Sequence, residues 1–169
     1  SFFVLRATST RVLTSRAPSA VLALRSLAPA AGIGALQGLL VAIVVQIAAG
    51  YEWSAWWGFL LVAIVAGVAF AAVNQALVAL FGGAGRWVSA LIGVLAVATG
   101  VVSTVPGVLS QLAAVLPTAP AYTAMLAALG PASGFGAGLV GLTVWALLAV
   151  CATVLAVARR RTTSARALL

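Results

Sequence analysis

Residues 56–81 read WWGFLLVAIVAGVAFAAVNQALVALF, a stretch with no charged residue and only two strongly polar ones, Asn74 and Gln75. A helix rises about 1.5 Å per residue, so this run is long enough to cross a hydrocarbon core of about 30 Å. Neither a soluble helix nor a soluble strand needs such a length without a charge. The reading of this run as a membrane helix sets the reading of its neighbours.

Three further runs meet the same length. They cover about residues 29–49, 87–105 and 135–158. Pro29 suits the first turn of the first run, and Arg159-Arg160-Arg161 closes the last. The whole chain is 64% hydrophobic and 6% charged, far below the roughly 25% charge of a soluble domain. Between Arg25 and Arg159 only Glu52 and Arg86 are charged.

A fifth apolar stretch, residues 106–131, is interrupted by Pro106, Gly107, Pro117, Pro120 and Pro131. The prolines predict pieces of about ten residues, each near 15 Å and about half a bilayer. The arginines choose between a fifth span and a hairpin. Cytoplasmic loops collect Arg and Lys. With four spans, the early arginines, Arg86 and the final cluster share one side, and Glu52 lies on the other. With five, the final cluster lands outside. The expected fold is therefore all-α and integral to a membrane. It has four transmembrane helices, a re-entrant or surface helical hairpin, and an interfacial segment at the amino-terminal end.

Residues 1–27 form that segment, with Arg6, Arg11, Arg16 and Arg25 alternating with apolar side chains. Such a segment lies in the membrane plane with arginines toward the headgroups. Residues 28–158 form the membrane domain, and 159–169 a basic cytoplasmic tail. Trp53, Trp56 and Trp57 mark the outer boundary and Trp87 the inner one, since indoles favour the interface. Trp145, mid-span, is a packing residue, as is Cys151. The net charge of +8 comes from arginines that flank apolar runs, so the expected partner is an anionic inner leaflet and not nucleic acid.

The absences exclude whole classes of chemistry. The chain has no histidine, no lysine and one carboxylate. A histidine base, a carboxylate pair, a metal site and a phosphate-loop lysine are all missing, so no enzyme activity and no cofactor are expected. A proton relay needs buried Asp, Glu or His, and the four runs have none. The polar residues within the runs are uncharged. Gln37, Gln46, Asn74 and Gln75 are the candidates for interhelix hydrogen bonds or for a polar lining. Gly34 with Gly38, Gly67 with Ala71, Gly134 with Gly138, and Ala137 with Gly141 follow the small-xxx-small spacing that lets helices approach closely. Their expected use is packing within the chain, with a homodimer face as the second reading. Gly82, Gly83, Gly85 and Arg86 form a tight cytoplasmic turn.

The stretch Asn74–Arg86, NQALVALFGGAGR, closely resembles a segment of the phage infection protein (YhgE/Pip) family. Residues 116–122, LPTAPAY, are similar to that family's Leu-Pro…Tyr stretch, here Leu116, Pro117 and Tyr122 with Pro120 between them. The order of elements matches across nearly the whole chain. The arginine that the family often carries after this stretch has no counterpart here. The resemblance implies the membrane architecture of a type-2 ABC exporter permease in a bacterial cell envelope. It implies a plasma-membrane protein with both ends cytoplasmic, acting in export or secretion, with an ATPase or secretion subunit supplied in trans. It also implies a first helix and an ectodomain upstream, with Phe2–Leu5 as the inner end of a preceding helix. The alternative is a non-transporting anchor for an extracellular domain.

Overall fold

The computed structural model describes residues 18–101 and 116–166. Helix α1 spans Ser19–Ala49, α2 Trp53–Phe81, α3 Gly83–Val101, α4 Thr118–Leu129 and α5 Phe135–Arg166. Among the described residues there is no strand. Among the described residues three helices are long and apolar enough to cross a membrane: Ala20–Ala49, Trp53–Phe81 and Phe135–Arg159. The third expected span, 87–105, overlaps α3, which is not one of these three, and its expected end at 105 lies outside the described residues. So do Pro106 and the first half of the expected hairpin, and most of the basic amino-terminal segment.

The packing is inverted relative to a soluble protein. The buried positions are mostly alanine, with Ala42, Ala69 and Ala124 all at 0% exposure, and few are as large as Leu142 or Phe59. The large side chains point out, including Ile47, Leu91, Val44 and Val140. In water such a surface would aggregate. In lipid it is the expected arrangement, because helices there associate through close packing of small residues and not through hydrophobic burial. The chain is a membrane-embedded helical protein.

Helix α1 begins ten residues before the expected start at Pro29, which sits inside the helix. Proline in a helix interior removes a hydrogen bond and crowds the preceding turn. Packing outweighs that cost here. Leu22 and Ala23 are buried, and Leu27 packs on the Ala72–Ala76–Ala149 cluster. Residues 19–27 therefore belong to the first membrane helix and not to a separate surface segment. Helix α2 starts at Trp53, three residues before the expected Trp56, with Glu52 at its N-cap. Helix α5 does not stop at Arg159 but runs on to Arg166. Arginine is a good helix former, so the charges end the apolar span without ending the helix.

Helices α1 and α2 cross at Gly34 and Gly67. A Cβ at Gly34 would strike the Gly67 carbonyl, one at Gly67 would strike the Gly34 carbonyl, and one at Gly38 would strike Ala63. The two backbones are in contact, which is the use expected of the small-residue pairs. Helix α5 runs parallel to α2. Phe135 lies by Gly58, Leu142 packs with Val62 and Ala66, and Ala149 with Ala72 and Ala76. Arg25, Arg86 and Arg159 consequently lie toward one end of the bundle and Glu52 at the other.

Helix α4 has 12 residues and a length of about 18 Å, too short to span. It fills the half of the bundle nearer Glu52, between α2 and α5. Pro120 and Ala124 pack on Gly138 and Gly141, and Ala128 lies by Gly58. Its carboxy-terminal end is at the Glu52 end of the bundle, and its amino-terminal end stops near mid-height beside Ala69.

Pro117 and Pro131 bound a piece of 12 residues, close to the length the spacing suggests, whereas Pro120 lies inside it. Pro117 is the N-cap and Pro120 lies in the first turn, where helix N–H groups have no partner in any case. Two of the four orphan donors are therefore absent, and Ala119 N–H donates to the Leu116 carbonyl at 3.2 Å. The prolines seal a helix end that is buried away from water, since Pro117 is fully buried.

Candidate functional site

The four amides singled out from the sequence separate into three environments. Gln75, 6% exposed, donates to Ser26 Oγ at 3.1 Å, and Ser26 donates to the Ala23 carbonyl at 2.8 Å. This pair ties α2 to α1 near the arginine-bearing end. Gln46 sits at the opposite end. Its Nε2 donates to the Tyr51 carbonyl at 2.9 Å, and Gly50 N–H donates to the Gln46 carbonyl at 2.9 Å. Gly50, at φ 61°, supplies the left-handed turn that closes α1. Both glutamines act as structural ties.

Gln37 and Asn74 are different. They line one groove of about 220 Å³ between α1 and α2, together with Gly34, Gly38, Gly67 and Met125. Asn74 is half-buried and Gln37 exposed. Among the described residues neither side chain makes a hydrogen bond. At Gly34, Gly38 and Gly67 an added Cβ would strike the facing backbone, so this close approach of α1 and α2 forms the floor of the groove. Met125 brings α4 to its edge. Nothing in the sequence marked Met125 or Ser26, because both act through contacts with distant segments. The groove itself was visible only as glycines at four-residue spacing.

At the Glu52 end, Trp56 Nε1 donates to the Ala42 carbonyl at 3.0 Å. Trp53 and Trp56 meet edge to face at 5.5 Å, and Trp56 and Trp57 at 4.8 Å. Trp53 and Trp57 remain exposed, as does Trp87 at the opposite end. Tyr122 is exposed on α4, away from the groove.

The turn at the arginine end is built as the glycines suggest. Gly82 has φ 59° and is the only residue between α2 and α3. Gly83 opens α3, and a Cβ at Gly85 would strike the Leu77 carbonyl. Arg86 is exposed one residue later. The chain matches no family model, no curated protein and no solved structure.

Proposed function

We propose that this chain is the membrane domain of a bacterial cell-envelope protein of the YhgE/Pip kind, built like an exporter permease and acting in export or secretion. In this reading α1, α2, α3 and α5 are four spans, and α4 is a re-entrant helix on the outer side. Both ends face the cytoplasm, where the arginines meet anionic lipid. The domain is not an enzyme and needs no cofactor of its own.

One observation carries the reading. Helix α4 stops at mid-height, beside a bundle whose first two helices leave a groove with two amides. Helices that end within a membrane are tolerated where protein shields them or where they line a cavity. A simple anchor has no need of one. The resemblance of Asn74–Arg86 to the YhgE/Pip segment supports the same reading. The turn Gly82–Arg86 is then the docking surface for an ATPase or a secretion subunit.

A second reading, a non-transporting scaffold for an extracellular domain, is favoured by the absence of any charge in α2 between Glu52 and Arg86 and by the tight Gly34–Gly67 contact. Purification from its native membrane in mild detergent separates the two. A cytoplasmic ATPase recovered in stoichiometric amount, and lost when Arg86→Glu alters the turn, is the expected result. Recovery with no ATPase across several mild detergents contradicts the permease reading and leaves the scaffold.

A further inference from the structure

We infer that the groove between α1 and α2 binds one acyl chain of a bilayer lipid, with the lipid's ester or glycerol oxygens held by Asn74. The inference concerns the groove alone and stands whether or not the bundle transports.

The groove opens toward lipid. Gln37 and Val41, both exposed, form its rim on α1, and the neighbouring Leu36, Leu40 and Val44 also face outward. Its walls are apolar and mostly small, made by alanines and the three glycines, with Phe70 and Met125 the two large side chains. It contains no charged residue, so an ion or a charged solute would find no counter-charge. Its floor is the contact between two helix backbones. A second helix, about 10 Å across, cannot reach that floor, but a single extended chain can.

The position of Asn74 decides the polar end. Helix α2 has 29 residues and is about 43 Å long, against about 30 Å of hydrocarbon. Centred on the bilayer, it projects about 6–7 Å at each end. Asn74 lies seven residues from Phe81, about 10 Å along the axis. It therefore sits within a few ångströms of the hydrocarbon boundary, at about the depth where lipid esters lie. An amide without a partner at that depth is costly. An ester carbonyl accepting from its NH₂ removes that cost. From there the chain runs to Gly67, at the midpoint of α2, and on toward Gln37 and Val41 just beyond it.

The test uses the full chain in nanodiscs of phosphatidylglycerol and phosphatidylethanolamine, doped with a phospholipid carrying a diazirine on one acyl chain. After illumination, labelled peptides are mapped. The expected result is preferential labelling of residues 30–41 and 63–74 over the equally lipid-facing Ile47 and Leu91. Val41→Trp, a change at an exposed rim position, is expected to fill the mouth and abolish the preference. Asn74→Leu is expected to weaken it about fivefold, the contribution of one hydrogen bond. Uniform labelling of all lipid-facing peptides overturns the proposal. So does labelling that Val41→Trp leaves unchanged, and so does a groove that cross-links to another segment of this chain or to a second copy in place of lipid.

Discussion

Gly67→Val is expected to separate the first two helices. The added side chain would meet the Gly34 carbonyl carbon at 2.7 Å and lie still closer to its oxygen. These are backbone atoms in the middle of a helix and cannot turn aside. Overpacking of a tight contact costs about 1–3 kcal/mol, and a backbone clash belongs at or above the top of that range. In lipid no hydrophobic force compensates, because a lipid tail is as apolar as the partner helix. The Gln75–Ser26 hydrogen bond would remain, but such bonds average about 0.6 kcal/mol between membrane helices. Thermal aggregation in detergent should therefore begin at a clearly lower temperature. Gly32→Ala is the matched control. Nothing lies within 4 Å of a Cβ at Gly32, so that change should leave stability unaltered or raise it by about 0.5–1 kcal/mol through helix propensity. Equal behaviour of the two variants would contradict the Gly34–Gly67 contact.

Gly138→Val is expected to release α4 from the bundle. A Cβ at Gly138 would come within 2.5 Å of the Ala124 Cβ, 2.6 Å of the Pro120 carbonyl oxygen and 2.8 Å of the Ala124 nitrogen. Helix α4 is too short to be anchored by its own length. It is held by Ala121 and Ala124, packed among Val62, Ala66, Ala69 and Leu142. Loss of that fit by about 2 kcal/mol would raise the open population about thirtyfold. The readout is the reaction rate of Ala124→Cys with a water-soluble maleimide, in a background where the exposed Cys151 is replaced by serine. The rate should rise by roughly that factor with Gly138→Val. It should not rise with Gly136→Val, since nothing lies within 4 Å of a Cβ there.

Much of this architecture was legible before any coordinates. Length and lack of charge located α1, α2 and α5, because about twenty apolar residues in a row have few other uses. The four-residue spacing of Gly34 and Gly38, and of Gly67 and Ala71, points to close packing within the chain, and the structure brings these two pairs together between α1 and α2. The glycines at 82, 83 and 85 mark the place of the turn, though Gly82 alone forms it and Gly83 and Gly85 lie in the first turn of α3. Proline was a mixed signal. Pro29 suits a helix start, yet contacts made by Leu22, Ala23, Ser26 and Leu27 carry the helix through it. Pro117 and Pro131 bound a short helix as their spacing suggests, and Pro120 sits in its first turn. At Pro29 the local preference is outweighed by packing against residues far away in sequence. The site was less legible for the same reason. Asn74 and Gln75 are adjacent, and their chemistry is the same. Only the angle between successive helix positions sends Gln75 to Ser26 and Asn74 into the groove.

The central claim is that the chain crosses the membrane four times and that α4 enters and leaves on the Glu52 side. Its most direct test is sided labelling of single cysteines in the Cys151→Ser background, with an impermeant thiol reagent applied to intact cells and then to permeabilised ones. Glu52→Cys and Ser133→Cys should react in intact cells, whereas Arg86→Cys and Arg159→Cys should react only after permeabilisation. Reaction of Arg159→Cys in intact cells, or protection of Ser133→Cys until the membrane is opened, would contradict it.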